Sequence, residues 1–246
     1  MPYLTGGVTA DWTGHLRAME AAGADAIELG LPFSDPTLDG ATIQEASDTA
    51  LARGATPDGI LAELRAADVR TPIVASTYAN LVLRKGAGTF AASLREAGVR
   101  GLIVPDLPLE EVDEVSAATA GEGIDLALLA SPVTPSERLR GIADRSRGFV
   151  YAVSVMGTTG ERAVLADSAE RVAQRLREVT DRPVFLGFGI TTPEQAAAAA
   201  QHADGVIVGA AVMRRVLDGA RPAETGAFVA ALRAALDERE ARIGEE

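Results

Sequence analysis

The sequence predicts a closed barrel of eight parallel strands, each followed by a helical connection. Three observations carry this. Short β-rich runs alternate with Ala/Leu/Arg/Glu-rich helical stretches, eight strands are joined by eight helical connections in strict alternation, and no linker or shift in composition divides the 246 residues. The whole of 1–246 therefore reads as one (β/α)8 domain. An open doubly wound sheet is the alternative. Such sheets show a Gly-rich phosphate loop after the first strand, and Thr5-Gly6-Gly7-Val8 lacks that fingerprint.

Strands are expected near 2–5, 25–30, 72–77, 101–104, 125–130, 149–153, 183–187 and 205–208. Helices are expected near 11–22, 43–53, 57–67, 88–97, 109–121, 135–145, 167–178, 193–201 and 222–240, with a short one near 210–217. Thr56-Pro57, Thr134-Pro135 and Thr192-Pro193 each place a capping hydroxyl before Pro at the first helical position. Glu137 and Gln195, three residues after Thr134 and Thr192, complete two capping boxes. The charged stretch 238–246 is expected to fray into solvent.

Composition narrows the function. A net charge of −12 argues against nucleic acid and anionic membrane surfaces as partners. Any anionic substrate must then be held by a local site. The chain has no Cys, which removes disulfides, thiolate metal sites and thiol nucleophiles, and suits a reducing cytoplasm. No apolar run approaches 18 residues and no basic-then-hydrophobic leader opens the chain. Positive charge comes from 22 Arg and a single Lys, Lys85, which lies well past strand three and away from a barrel interior. His15 and His202 fall within or at the end of helices and read as surface residues. No His/Asp cluster suggests a metal, and no Ser has a His partner for a hydrolase triad. Carboxylate acid–base chemistry remains.

Glu28 is the focus of that chemistry. It sits inside Ala26-Ile27-Glu28-Leu29-Gly30, otherwise a buried strand. Alternation turns Ile27 and Leu29 toward the helices and Ala26, Glu28 and Gly30 inward, with Glu28 near the catalytic end of its strand. Desolvating a carboxylate there costs several kcal/mol or keeps it protonated. Asp39 follows eleven residues later on a turn-rich loop, and two acids in different environments can divide proton work between them. A buried acid paired with Arg or backbone amides, and an ordinary Asp-Gly turn, are the plain alternatives. Two glycine-rich segments, Gly187-Phe188-Gly189 and Gly205 through Gly209-Ala210, stand where this fold commonly binds phosphate, the second leading into a short helix. Gly157-Thr158-Thr159-Gly160 reads equally as a glycine-hinged lid or as a surface connection.

The run from Ala22 to Pro36 (AGADAIELGLPFSDP), followed by Asp39-Gly40 and Ile43-Gln44, resembles the signature of tryptophan synthase α subunits. So do Thr77-Tyr78-Ala79-Asn80, Val104-Pro105-Asp106-Leu107-Pro108, Gly157-Thr158-Thr159-Gly160 and Gly187-Phe188-Gly189-Ile190. The resemblance runs in order from Pro2 to about Arg215. The glycine motifs are shared with other phosphate-binding barrels, including sugar-phosphate isomerases, whereas the Glu28–Asp39 segment is specific.

The resemblance implies retro-aldol cleavage of indole-3-glycerol phosphate to indole and glyceraldehyde 3-phosphate. It implies that Glu28 is the general acid–base and that Asp39, ionised on its loop, accepts the indole N–H. Tyr78, Tyr151 and Phe188 would line the indole pocket, and Gly160, Gly189, Gly209 and Ala210 would hold the phosphate. Thr159 would close the lid onto Asp39. Asp35, Pro36 and Pro108 would meet a β subunit in an α2β2 assembly. That partner carries pyridoxal phosphate, so no cofactor is expected in this chain. A stand-alone lyase releasing free indole and a catalytically weak paralogue serving as an allosteric partner are the alternatives. Ala210 stands where the family usually has Ser, Ala41 where it has Pro, and Val155-Met156 where many members have Arg. The family's helix before strand one, which covers the barrel bottom, is not seen in this sequence.

Overall fold

The computed structural model describes residues 1–153, 171–187 and 189–243, and side chains as far as 238. The strands are β1 (Tyr3–Thr5), β2 (Ile27–Gly30), β3 (Ile73–Ser76), β4 (Gly101–Ile103), β5 (Asp125–Ala127), β6 (Leu129–Ala130), β7 (Val150–Val153), β8 (Val184–Gly187) and β9 (Gly205–Ile207). Helices α1 (Trp12–Ala21), α2 (Ala41–Ala52), α3 (Pro57–Ala66), α4 (Ala79–Lys85) and α5 (Ala87–Glu96) lie between β1 and β4. A 3₁₀ turn (Leu109–Glu111) leads into α6 (Val112–Gly121), and α7 (Ser136–Arg145) precedes β7. The described part of α8 is 171–177, and α9 (Pro193–Ala199), α10 (Ala210–Leu217) and α11 (Pro222–Ile243) complete the chain.

Every described strand pairing is parallel, in the order β1 to β5 and β6 to β9. Two junctions close the cylinder. The Tyr3 amide donates to Val208 O and the Val208 amide to Met1 O, both at 3.0 Å, which joins the last strand to the first. The second junction lies at Leu128, where the expected single strand 125–130 splits into β5 and β6. The Leu128 amide leaves the ladder and donates to Ser146 Oγ at 3.3 Å, while Leu128 O still accepts from Tyr151 at 3.0 Å. The fully buried Ser146 hydroxyl in turn donates to Ile142 O at 2.8 Å. β5 and β6 thus act as one stave, and the barrel has the eight the sequence requires.

Alternation sets the two layers. Outward residues such as Leu4, Ile27, Leu29, Ala75 and Leu102 have essentially no exposure and pack against the helix ring. Inward residues Val74, Ile103, Ala127, Phe149 and Ile207 fill the axis with Phe185, whose ring stacks on Phe149 at 4.5 Å. Large inward side chains face glycines on neighbouring strands; an added Cβ on Gly205 would meet the Phe185 ring at 2.8 Å. The barrel axis is therefore a packed core except at its C-terminal end.

Several local expectations change. Residues 79–85 form α4, which the sequence reading assigned to no helix. Thr56 and Thr192 cap α3 and α9 by accepting from Gly59 and Gln195 amides at 3.1 and 3.3 Å. Gln195 Oε1 answers at the Thr191 amide, one residue before the cap. Thr134 does not cap α7, which starts at Ser136 with no side-chain cap; its hydroxyl accepts from the Ser131 amide at 3.0 Å instead. His15 is buried, not at the surface: Nδ1 bonds Thr225 Oγ1 at 3.0 Å between α1 and α11, and burial lowers its proton affinity. It belongs to the packing of α1 on α11, not to a site.

Candidate active site

β2 carries Glu28 into the barrel because its neighbours Ile27 and Leu29 are claimed by the helix layer. Its amide is satisfied by Pro2 O at 2.9 Å, and the residue is 5% exposed. Burial pushes the carboxyl up to about 7; a hydrogen bond with the Ser76 hydroxyl opposes the shift, and the charge of Asp39 adds to it. The plain alternative of an Arg-paired buried acid does not hold among the described residues.

Asp39 is held by a folded loop and not by a simple Asp-Gly turn. Its amide donates to Pro36 O at 3.1 Å, and Gln44 Nε2 from α2 donates to Asp39 O at 2.8 Å and Pro36 O at 3.4 Å. The Tyr78 hydroxyl donates to Asp39 Oδ2 at 2.9 Å and accepts from the Leu38 amide at 3.0 Å. The Tyr78 ring rests on Phe33, with centroids 5.1 Å apart. Asp39 is half-buried, and burial raises its proton affinity while the Tyr78 hydroxyl holds it down. It is a drier acid than its loop position suggests, kept ionisable by one donor.

Glu28 and Asp39 line one cavity of about 670 Å³ at the C-terminal end of the barrel, a size suited to a small organic ligand. Tyr78, Tyr151, Gly189, Gly209 and Ala210 line it too. Gly209 is the residue before α10 and Ala210 its first residue, so the free amides of that first turn point a positive dipole end into the cavity. Gly189 takes a positive φ of 24°. No Lys or Arg is among the cavity-lining residues described. Thr159, Gly160 and Phe188, with the remainder of 154–170, lie outside the described residues.

Asp35 and Pro108 are exposed and Pro36 is half-buried, on loops that follow β2 and β4 and so flank the cavity. The apolar Leu38, 56% exposed, shares that rim. Among the described residues no group of three or more His, Cys, Asp or Glu is arranged to hold a metal, and no helix is long and apolar enough to cross a membrane.

Two residues at the site were not singled out from sequence. Tyr3 is the register partner of Glu28 on β1, and Ser76 lies two positions beyond Glu28's partner Val74 on β3. Both line the cavity. Period-2 alternation turns each of them inward, but only strand register sets them beside Glu28.

Residues 1–240 match the family model described as tryptophan synthase alpha chain. The chain is 46% identical over 212 residues to the tryptophan synthase alpha chain of Picosynechococcus sp., covering 85% of this chain and 80% of the relative. Against that of Gloeobacter violaceus it is 46% identical over 233 residues, 91% and 83% of the two chains. Among solved structures it resembles the Mycobacterium tuberculosis tryptophan synthase, with a TM-score of 0.87 at 38% identity over 96% of this chain and 91% of that one. It equally resembles a chain of the tryptophan synthase α2β2 complex of Pyrococcus furiosus, with a TM-score of 0.87 at 36% identity over 95% and 96%.

Proposed function

The chain belongs to the tryptophan synthase alpha chain family, and from that premise we propose that it is a carbon–carbon lyase cleaving indole-3-glycerol phosphate to indole and glyceraldehyde 3-phosphate. The observation that carries this reading is the pair of unlike carboxyls in one cavity, Glu28 enclosed with an affinity near 7 and Asp39 gripped by Tyr78.

Protonated Glu28 delivers its proton to indole C3, which turns the ring into an indoleninium. Ionised Asp39 accepts the ring N–H and stabilises the positive charge that develops there. The Glu28 carboxylate then takes the proton of the chain hydroxyl next to C3. The C–C bond breaks, its electrons return to the ring, and the hydroxyl-bearing carbon leaves as the aldehyde. Glu28 ends protonated, ready for another turnover. An acid near pKa 7 suits both halves, because it gives and takes a proton at similar cost. The protonated ring is the electron sink, so this chain needs no cofactor for the step. The amides of Gly189, Gly209 and Ala210 hold the phosphate, with Gly160 by resemblance, and Tyr78, Tyr151 and Phe188 contact the ring. Thr159 closes the lid onto Asp39.

The P. furiosus relative is part of an α2β2 complex, which supports a β-subunit partner here as well, with Asp35, Pro36, Pro108 and the exposed Leu38 offering the rim for docking. Pyridoxal phosphate then belongs to that partner. A cytoplasmic setting fits the Cys-free sequence.

The test is indole release from indole-3-glycerol phosphate, with and without an added β subunit. Release by the wild-type chain, stimulated by the β subunit and abolished by Glu28→Gln, is expected. Near-normal turnover in Glu28→Gln would overturn the mechanism. Absence of indole under both conditions would overturn the function.

A further inference from the structure

Two buried hydroxyls, only one of them on the cavity wall, share one hydrogen bond. Tyr3 Oη and Thr5 Oγ1 lie 3.1 Å apart, both buried. Each carries one proton, so the pair holds one proton more than the bond between them uses. Thr5 has no exposure and does not line the cavity, and among the described residues its hydroxyl meets no partner but Tyr3. If Tyr3 were the donor, the Thr5 proton would be stranded at a cost of about 1–3 kcal/mol. Thr5 therefore donates, and the Tyr3 proton is left for another acceptor. The Tyr3 phenol lines the cavity, and no hydrogen bond joins it to Glu28 or Asp39 among the described residues.

The course of the ring says where that acceptor lies. Tyr3 Cβ sits beside Gly209, 3.7 Å from where a Cβ on that glycine would be. The hydroxyl fills the space that a Cβ on Gly30 would need, two residues past Glu28. Tyr3 thus spans from the phosphate-side turn to the strand end beside Glu28. A ligand reaching from Gly209 and Ala210 to Glu28 passes along it.

We propose that Tyr3 is a further substrate-positioning residue, whose phenol donates a hydrogen bond to a hydroxyl of the three-carbon chain linking the indole ring to the phosphate. This rests on the indole-3-glycerol phosphate reading above. The Thr5 hydroxyl fixes which way the phenol proton points, and Gly30 leaves the room for it.

The test compares wild type with Tyr3→Phe on two ligands: indole-3-glycerol phosphate, and indol-3-ylpropyl phosphate, which has the ring and phosphate but no chain hydroxyl. The substitution is expected to lower kcat/KM for cleavage about 3- to 10-fold while leaving the inhibition constant of the propyl phosphate unchanged. Because Tyr3→Phe strands the Thr5 proton, the double variant Tyr3→Phe/Thr5→Val removes that burden and is expected to show the same loss of cleavage. An equal loss with both ligands, no loss with either, or recovery in the double variant would each overturn the proposal. A wild-type chain that binds the propyl phosphate yet releases no indole would instead overturn the reaction itself, and the role of Tyr3 with it.

Discussion

A carboxyl among the inward side chains of a barrel changes the pH dependence of the fold as well as its chemistry. The ordinary affinity of Glu28 is 4.5 and its folded value about 7, raised mainly by burial. The neutral form is thus favoured in the fold, so this contribution to stability is whole below 4.5 and is lost as pH rises through 7. Glu28→Gln is expected to leave stability little changed at pH 4.5 and to raise it by about 3 kcal/mol at pH 8, read from urea midpoints across that range. A constant difference between the two proteins at all pH values would show that Glu28 does not titrate in the fold as described. In the proposed mechanism catalysis starts from the protonated acid, so kcat/KM should also fall as pH rises above about 7. In the same mechanism Asp39 works in the opposite, ionised form. Its Tyr78 donor favours ionisation against burial, so Tyr78→Phe should raise the Asp39 affinity further and move the acid limb of the pH profile upward. A loss of about tenfold in kcat/KM near neutrality is expected, since hydrogen bonds to charged groups are worth roughly 1.5–3 kcal/mol. Unchanged position of the acid limb would show that Tyr78 serves only the ring pocket.

At the scale of elements, the glycines at strand ends shape the cavity as much as its acids do. An added Cβ on Gly187 would overlap the Tyr151 ring across the β7–β8 pair. Gly187→Ala is expected to displace Tyr151, cost about 1–3 kcal/mol of stability by overpacking and lower kcat/KM by misplacing that ring. A variant with wild-type stability and kinetics would show that the ring moves aside freely. By contrast, Thr56→Ala removes a formed cap far from the chemistry and should cost about 1 kcal/mol of stability with activity intact. These contrasts mark what the sequence made legible. Thr56 and Thr192 announce their helices because a hydroxyl before Pro acts within one turn of chain. Thr134 carries the same local signal yet bonds Ser131, since the loop before α7 folds back on itself first. The strand break at Leu128 was invisible because the group that stabilises it, Ser146, lies beyond the next helix. Glu28's inward direction followed from alternation alone. Its neighbours Tyr3 and Ser76 arrive by register from two other strands, which no local pattern specifies.

At the scale of the whole molecule, charge and site stand in tension. The chain carries −12, whereas the proposed substrate is itself an anion. Among the described residues no Lys or Arg lines the cavity, so in the proposed reading the phosphate is left to backbone amides and the start of α10. Such donors act only at contact distance, so they cannot offset the long-range repulsion that the substrate meets on approach. Added salt shortens the reach of that repulsion, to about 8 Å at 0.15 M, and leaves short contacts inside the cavity nearly untouched. Raising NaCl from 20 to 150 mM should therefore increase kcat/KM for indole-3-glycerol phosphate, on the order of twofold, the reverse of an enzyme that steers its anion with a cationic rim. The dephosphorylated substrate analogue, being neutral, should show no such rise in its affinity. A fall in kcat/KM with salt would place a cationic side chain at the phosphate and overturn this account of how the anion is held.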